Sequence, residues 1–384
     1  MLMVTGAYHP EFSAGGLQCR AIARELNGRA DFAVLTTATT ADLPVHDHVE
    51  GVPVTRVHVE PGRRRVTPMF AMAWSLIRLL RRRDLVHVQG FSRKNVIVVM
   101  MARAFGRPVI VHLQTARHDE PQTIRAQGRL AWWAFASAAY YIAVSAGLQQ
   151  RFLEGGLPAE RIEQVPNGVD TGRFRPASSD EQQRLRRQLR LPMDRPLVLF
   201  VGVMTPDKQP HVLLDAWADA ERQRRLGATL VFVGATDPRL FELTDRLAEQ
   251  MQQRLAAIEG GERVHFVPPT ADIDLYYRAA DVVVMPSLRE GLPNVVLEAM
   301  ATGLPVIASR LRGSTDTIIE DGVNGRLVEP GDRAGFAAAI ADILCEPATA
   351  ARLGAAARRT VVERYDIGCI AERWLAVYDQ VLSR

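Results

Sequence analysis

Short apolar runs alternate with helical segments along almost the whole chain, and this alternation constrains the fold more than any other feature. Runs such as residues 197–201 are apolar throughout, which is typical of strands buried on both faces of a parallel sheet. Helices that connect such strands cover the two faces of the sheet. We therefore predict an α/β protein with two Rossmann-like, doubly wound domains facing a cleft.

The predicted strands fall into two sets. In the first half they lie near residues 2–6, 32–37, 52–59, 85–89, 108–114, 140–145 and 162–166. In the second half they lie near 197–202, 229–234, 264–268, 281–286, 305–308 and 326–328. A chain of 384 residues with 47% hydrophobic residues can bury two cores of ordinary size. We expect domains at 1–170 and 196–365, a polar, proline-bearing linker at 171–195, and a last helix at 366–384 with an apolar stripe from Trp374 to Val381.

Cysteine content and the first residues of the chain suggest a cellular compartment. The chain has three scattered cysteines, Cys19, Cys345 and Cys369. Their number and spacing match neither a metal site nor a disulfide framework, so a reducing cytosol is expected. The chain begins directly in a predicted strand, without the pattern of a signal peptide. Residues 130–150 carry no formal charge, but they divide into a helix and a strand and are poor in the leucine and isoleucine of a membrane span. We predict a cytoplasmic protein, with peripheral contact at the inner face of the membrane as a further expectation.

Positive charge is unevenly distributed. The formal net charge is only +4, whereas residues 61–107 hold eleven basic residues and one acidic residue, a net charge of +10. This segment predicts attraction to an anionic partner such as a membrane surface, a lipid phosphate or a nucleotide, and the alternative is a solvated basic face. Nucleic acid is disfavoured, because the chain lacks a recognisable reading motif and the basic residues are not interleaved with stacking aromatics.

Two carboxylates, Glu290 and Glu298, are eight residues apart in a strand–turn–helix pattern. The strand is the apolar run of residues 281–287, Gly291 and Pro293 break the chain, and apolar residues resume at helical spacing from Val295 to Met300. The amides of Asn294, Val295 and Val296 are expected to be unpaired at the start of that helix, where a phosphate can bind. The carboxylates can accept hydrogen bonds from sugar hydroxyls. A nucleotide sugar carries both groups, whereas the alternative is an ordinary α/β turn with two solvated acids.

Lysine is rare in this chain, which makes Lys208 informative. Lys94 and Lys208 are the only lysines among 47 basic residues. Lys208 follows the predicted strand 197–202 by a few residues, and its compact ammonium group can reach a diphosphate as a point charge. The alternative is a surface lysine without a role.

Ligands of doubly wound sheets bind at the carboxyl ends of the strands. In this chain those ends carry Gly15-Gly16 in the first loop, Gln114-Thr115, Ser145, residues 202–208 and residues 290–294. Glycine at such positions lets backbone amides approach a ligand closely.

Other candidate sites are weaker. Asp272 and Asp274 match an Asp-x-Asp metal motif, but they begin a predicted helix, where acids suit the helix dipole, so we expect no catalytic metal. His46 and His48 lie in a predicted polar loop without a third ligand. The Gly15-Gly16 pair falls short of a dinucleotide fingerprint, which argues against a nicotinamide dehydrogenase. The aromatic cluster Trp132, Trp133 and Phe135 is either an acceptor-facing patch or helix-packing surface.

Several short motifs follow one another in a consistent order along the chain. They are Gly15-Gly16, Val144-Ser145, residues 165–170, residues 202–208, the segment Ser287 to Pro305 that holds both glutamates, and residues 321–325. In order and spacing they resemble the retaining glycosyltransferases of family 4, which have the GT-B fold. The resemblance implies a metal-independent, retaining transferase that moves a sugar from a nucleoside-diphosphate sugar to an acceptor hydroxyl, in glycolipid or cell-envelope polysaccharide synthesis. It also implies that the last helix crosses back to the first domain.

The resemblance assigns roles to individual residues. Glu290, Lys208 and Gln114 are the implied catalytic residues. The implied acceptor-side residues are His112, His118 and Ser145. The implied donor-binding residues are Gly15, Gly16, Gly202, Gly291, Leu292, Pro293, Asn294, Val295, Val296 and Glu298, with Glu298 on the ribose; no cofactor is implied beyond the nucleotide sugar itself.

The chain also departs from the family pattern. Val203 replaces an arginine, Gln114 takes the place of a histidine that faces the donor sugar, and residues 313–317 replace a glycine-rich motif. Two alternatives therefore stay open: another GT-B enzyme such as a nucleotide-sugar epimerase, and a non-catalytic GT-B partner subunit.

Overall fold

The computed structural model describes residues 1–11, 13–59, 67–234 and 245–384. It divides the chain into two compact units. The first contains Met1–Gly168 together with Ile367–Arg384, and the second contains Val169–Asp366. Each unit is an α/β domain built on a largely parallel sheet, as the alternating pattern predicted.

The first unit has an eight-stranded sheet with the order β3-β4-β2-β1-β5-β6-β7-β8. The strands are β1 (Leu2–Thr5), β2 (Ala33–Ala38), β3 (His46–Val49), β4 (Val52–His58), β5 (Val86–Gln89), β6 (Val109–Leu113), β7 (Tyr140–Ala143) and β8 (Ile162–Gln164). Its helices are α1 (Ala14–Glu25), α2 (Thr67–Leu80), α3 (Asn95–Ala104), α4 (Pro121–Ala126), α5 (Arg129–Ala136), α6 (Ala146–Glu154) and the C-terminal helix Ile367–Leu382. Strands β5, β6 and β7 are buried almost completely, as their apolar sequences predicted.

Strand β3 was not predicted, and His46 and His48 lie in it rather than in a loop. It pairs antiparallel with β4 at the edge of the sheet, with Asp47 opposite Val54. Arg56 of β4 holds it there, because its buried guanidinium donates to Asp47 Oδ2 at 2.8 Å. A charged strand of this kind suits a sheet edge, but it lacks the apolar residues by which strands are found in a sequence.

The second unit has a six-stranded sheet in which every pair of neighbours is parallel, with the order β11-β10-β9-β12-β13-β14. The strands are β9 (Leu197–Val201), β10 (Thr229–Val233), β11 (Val264–Val267), β12 (Val282–Met285), β13 (Val306–Ser309) and β14 (Arg326–Val328). Its helices are α7 (Ser179–Gln188), α8 (Pro210–Arg224), α9 (Asp245–Ala257), α10 (Ile273–Ala279), α11 (Asn294–Ala301), α12 (Arg333–Cys345) and α13 (Pro347–Arg364). Thus β9 and β12, which precede the two predicted ligand loops, are neighbours.

The segment 171–195, expected to be a linker, lies within the second unit and contains α7. Buried Arg186 on α7 donates to Asp281 Oδ2 at 2.6 Å and to the carbonyl of Ala279 at 2.9 Å. The sequence did not indicate this packing, because its buried contacts are made by a charged side chain and not by an apolar one. A charged side chain can be buried in this way when it is hydrogen-bonded.

The C-terminal helix (α14, Ile367–Leu382) belongs to the first unit. Its buried face includes Trp374, Val377, Tyr378 and Val381, which lie in the same core as Phe32 and Ile110. Within the part of the chain that the structure describes, no single helix is long and apolar enough to cross a bilayer; α12 and α13 reach that length only together, across a bend of 102°.

Candidate active site

Lys208 and Glu290 form an ion pair in the second unit. The Lys208 ammonium donates to Glu290 Oε1 at 2.5 Å, and the two side chains are only 29% and 12% exposed. Lys208 ends a single 3₁₀ turn, Pro206–Lys208, after β9, and Glu290 lies in the loop between β12 and α11. The two residues that the sequence assigned to one ligand are therefore in direct contact.

Two further contacts hold the loops together. The Leu288 amide donates to the Asp207 carbonyl at 2.7 Å, and Arg289 Nε donates to Asp207 Oδ2 at 2.8 Å. The loops follow neighbouring parallel strands, so their meeting at one edge of the sheet is the arrangement expected for a ligand site. The double brace fixes the distance between Lys208 and Glu290.

Two glycines, Gly202 after β9 and Gly234 after β10, let the backbones at the ends of these neighbouring strands lie in close contact. Gly202 has φ +152°, and a Cβ on Gly234 would lie 1.7 Å from the Gly202 carbonyl oxygen. No other residue type fits at position 234 without moving this backbone. Sequence reasoning missed Gly234, although it follows an apolar run in the same way that Gly202 does.

Glu298 lies in the second turn of α11, where its Oε2 accepts a hydrogen bond from the Tyr277 hydroxyl at 2.8 Å. Burial raises the pKa of Glu298, while the Tyr277 bond and the charge of Arg173 act in the opposite direction. Glu298, which is expected to bind the ribose, thus already accepts a hydrogen bond from within the protein. Sequence reasoning missed Tyr277, because a tyrosine in the middle of a helix carries no signal of what its hydroxyl contacts.

The start of α11 differs from the expectation that three amides are unpaired. Asn294 is the first residue of the helix, and the Val296 amide donates to the Pro293 carbonyl at 3.1 Å, so at least one of the three amides is engaged within the protein. Gly291, Leu292 and Pro293 of the preceding turn are buried.

Gly15 and Gly16 lie in the first turn of α1 rather than in a loop. The Gly16 amide donates to the Ser13 hydroxyl at 3.0 Å, so Ser13 caps the helix and the Gly16 amide is engaged within the protein. A Cβ on Gly16 would lie 2.3 Å from the Ala7 carbonyl oxygen, and one on Gly15 would lie 2.9 Å from Gln114 Oε1. Gly15 is therefore the member of the pair that lies beside a predicted site residue.

Gln114 and His112 are joined by Gln89. The Gln114 side-chain amide donates to Gln89 Oε1, and His112 Nδ1 lies 2.8 Å from the same oxygen. His112 is buried under Trp374, and burial holds the pKa of His112 well below its usual range. His112 is therefore a neutral core histidine, which differs from its expected place on the acceptor side.

His87 and Gln89 continue this buried network, and neither was singled out from the sequence. His87 lies 2.9 Å from the Tyr378 hydroxyl of α14 and 3.0 Å from Gln89 Nε2. Burial lowers the pKa of His87 to about 3, so this imidazole is also neutral. The network connects the C-terminal helix to Gln114 through hydrogen bonds.

His118 differs from the buried histidines because its side chain is 52% exposed. Its Nδ1 lies 2.9 Å from Asp119 Oδ1. Buried Asp119 also accepts the backbone amides of Phe91, Gln114 and Thr115, each at 2.9 Å. Asp119 thus fixes the imidazole at the edge of the sheet, and His118 is the acceptor-side candidate that this unit presents at its surface.

Ser145, the third acceptor-side candidate, is buried and caps α6 by accepting the Leu148 amide at 3.5 Å. The Ser145 hydroxyl is therefore engaged in the helix cap and is not presented at the surface of the unit. A serine directly before the first residue of a predicted helix is a recognised N-cap, so this role could have been predicted from the sequence.

The acids of the Asp-x-Asp motif begin α10 as predicted, but the Asp272 side chain caps no amide among the described residues. Asp274 instead binds Arg173 at 3.0 Å and Arg278 at 3.0 Å. In the described ranges, no group of three or more His, Cys, Asp or Glu side chains is arranged to hold a metal ion.

Comparisons with known families match both units. Residues 14–168 match the family described as glycosyl transferase 4-like domain, and residues 181–360 match glycosyl transferases group 1. A D-inositol 3-phosphate glycosyltransferase of Acidothermus cellulolyticus is 33% identical over 363 residues, which cover 86% of this chain and 78% of the relative. Further relatives of the same name align over about half of their own length, with coverage between 42% and 54%.

Solved structures with the same fold cover nearly the whole chain. Anabaena Alr3699/HepE, solved in complex with UDP and glucose, superposes with a TM-score of 0.82 at 23% identity and covers 99% of each chain. Sucrose-phosphate synthase from Thermosynechococcus elongatus gives a TM-score of 0.81 at 21% identity and covers 100% of this chain and 98% of its own. From the two family models and a relative aligned along most of its length, it follows that this chain belongs to the glycosyltransferases of family 4, with the GT-B fold.

Proposed function

We propose that this protein transfers a sugar from a nucleoside-diphosphate sugar to an acceptor hydroxyl, with retention of configuration and without a metal ion. The observation that carries the proposal is the contact between Lys208 and Glu290 in braced loops beside the start of α11. One cation, one carboxylate and a helix N-terminus are complementary to a diphosphate joined to a sugar. No separate cofactor is part of the proposal.

In this reaction the acceptor oxygen bonds to the anomeric carbon as the bond from that carbon to the diphosphate breaks. The acceptor proton passes to the departing diphosphate on the same face of the sugar. Negative charge grows on the diphosphate, and Lys208 and the positive end of the α11 helix dipole stabilise it. Glu290 accepts hydrogen bonds from the sugar hydroxyls and, through its pair with Lys208, holds the ammonium in place.

The names of similar proteins suggest the first donor and acceptor to test. UDP is the first nucleotide to test, because HepE was solved with UDP, and D-inositol 3-phosphate is the first acceptor, because the relatives carry that name. A glycolipid or cell-envelope polysaccharide is the second class of acceptor. Unpaired thiols at Cys19, Cys345 and Cys369 favour the cytoplasm as the place of reaction.

The proposal predicts transfer in the presence of excess EDTA. UDP-, GDP- and ADP-sugars are first compared by thermal shift, because a ligand that binds the folded state raises Tm by mass action. The best donor, labelled in the sugar, is then incubated with D-inositol 3-phosphate or an envelope lipid extract in EDTA. We expect a labelled product with the anomeric configuration of the donor.

The same experiment distinguishes the proposed transferase from a metal-dependent enzyme, an epimerase and a non-catalytic subunit. Loss of activity in EDTA that Mg²⁺ or Mn²⁺ restores would overturn metal independence. An isomerised donor formed without acceptor would identify an epimerase, and donor binding without turnover on any acceptor would identify a non-catalytic subunit.

The Glu298→Gln variant should weaken nucleotide binding and leave kcat nearly unchanged. A ribose contact is the same in ground and transition states, so its loss acts on affinity. Glutamine still offers an oxygen to Tyr277, which protects the fold. Calorimetry with the nucleoside diphosphate of the best donor should show affinity lower by about tenfold, the loss of one charge-assisted hydrogen bond.

Tyr277→Phe is the matched control, because it keeps Glu298 and removes the hydroxyl that donates to Glu298 at 2.8 Å and, at 3.5 Å, to the Val295 carbonyl. If Glu298 serves only as the acceptor for Tyr277, both variants will change stability and neither will change affinity. That result would remove Glu298 from the donor site.

A further inference from the structure

Three helices of the first unit carry large apolar side chains on their exposed sides. Helix α2 exposes Met69, Phe70 and Trp74, with Phe70 at 70% and Trp74 at 58%. Helix α5 exposes Leu130 at 59% and Trp133 at 47%, and α3 between them exposes Met100 at 45%. We call these six residues the apolar face.

The three helices that carry the apolar face, α2, α3 and α5, are neighbours in the first unit. Helix α3 packs against both α2 and α5. Phe70 and Trp74 are one turn apart, and the opposite side of α2 buries Leu76 and Leu80. Each helix therefore has a buried apolar side toward the unit and a second apolar side away from it, whereas a surface helix of a globular protein usually presents polar residues there.

Arginines surround the apolar face. The Arg78 guanidinium lies 5.0 Å from the centre of the Trp74 ring, and that of Arg103 lies 5.8 Å from the Trp133 ring. Arg81, Arg82 and Arg129 are also exposed at the ends of these helices. None of the three helices contains an aspartate or a glutamate. Arg63, Arg64 and Arg65, which contribute to the predicted basic segment, lie outside the described residues.

This chemistry selects one kind of occupant. Tryptophan and phenylalanine reside stably at the depth of lipid headgroups, and arginine reaches lipid phosphates from the same surface. A second copy of the chain would bring two basic faces together without any acid on these helices to neutralise them. We propose that the apolar face docks the protein on an anionic lipid bilayer, with α2 and α5 lying in the plane of the headgroups. This inference goes beyond the transfer reaction and does not rest on it.

The test uses the full chain and vesicles of phosphatidylcholine with or without phosphatidylglycerol. Wild-type protein should sediment with the anionic vesicles, and raising the salt should weaken binding, because the arginine attraction is screened. The double variant F70S/W74S should bind about tenfold or more weakly, since two large apolar side chains no longer enter the lipid. Leu153→Ser on α6 is the matched control: it removes an exposed leucine, 41% accessible, elsewhere on the same unit, and should bind as wild type does.

Insertion of the aromatic side chains into the bilayer is measured separately from electrostatic attraction of the protein to its surface. Vesicles with brominated acyl chains should quench tryptophan fluorescence of the wild type, and Trp74→Phe, which keeps the apolar contact, should bind but lose part of the quenching. Absence of sedimentation at low salt would overturn the proposal. So would binding without quenching, or a lipid-free dimer that F70S/W74S dissociates, because the face would then be a site for a second copy.

Discussion

Replacing Lys208 with alanine should lower kcat by about 10²–10³-fold, the usual loss when one preorganised electrostatic donor is removed. The charge of Lys208 matters most as the diphosphate leaves, so turnover should fall more than donor affinity. Lys208→Arg should restore only part of the rate, because a planar guanidinium does not replace a compact ammonium 2.5 Å from Glu290. Steady-state kinetics with the best donor provide the measurement.

Lys94 offers a matched control, because it is the only other lysine and it is exposed in the first unit. Lys94→Ala should leave kcat unchanged. A Lys208→Ala enzyme within about threefold of wild type would mean that the diphosphate lies elsewhere.

Glu290→Gln should lower kcat on the order of 10²-fold while keeping the fold. The amide has the shape of the carboxylate, but it loses the charge that orders Lys208 and that makes hydrogen bonds from sugar hydroxyls strong. Because Lys208 and Glu290 are in contact, K208A/E290Q should lose much less than the product of the losses of Lys208→Ala and Glu290→Gln. Losses that multiply would show that the two residues act independently and would contradict the paired role.

Glu329→Gln is the control for this variant. Glu329 is 70% exposed and pairs with Arg310 on the surface of the same unit. Its replacement should change neither kcat nor Tm, since an exposed ion pair contributes little. Near-normal turnover of Glu290→Gln would remove Glu290 from the catalytic centre.

The parts of the fold that the sequence predicted are those governed by continuous apolar runs. All six strands of the second unit were predicted, and those that precede the two predicted ligand loops, β9 and β12, are apolar throughout. Strand β3 was missed because Asp47 and its neighbours are polar, and only Arg56 on the next strand explains why they are ordered.

Positions of site residues were easier to predict than their contacts. Lys208 and Glu290 were placed at neighbouring strand ends, but their contact depends on the 3₁₀ turn at Pro206 and on the Asp207 brace. The roles of Asp119 and Tyr277 depend on burial, which no local pattern encodes. By contrast, Ser13 three residues before Gly16 was a recognisable helix cap, and it explains why the Gly16 amide is engaged.

The first unit is discontinuous in sequence, because it needs Ile367–Arg384 in addition to Met1–Gly168. Trp374 and Tyr378 pack on His87 and fill its core, so the ribosome releases the last piece of this unit only after the whole second unit has been made. A nascent chain therefore has all eight strands of the first sheet but not the helix that covers His87 and His112, for the time needed to translate about two hundred residues, at roughly 5–20 residues per second. Translation thus completes the second unit before the first, although the first unit begins the chain.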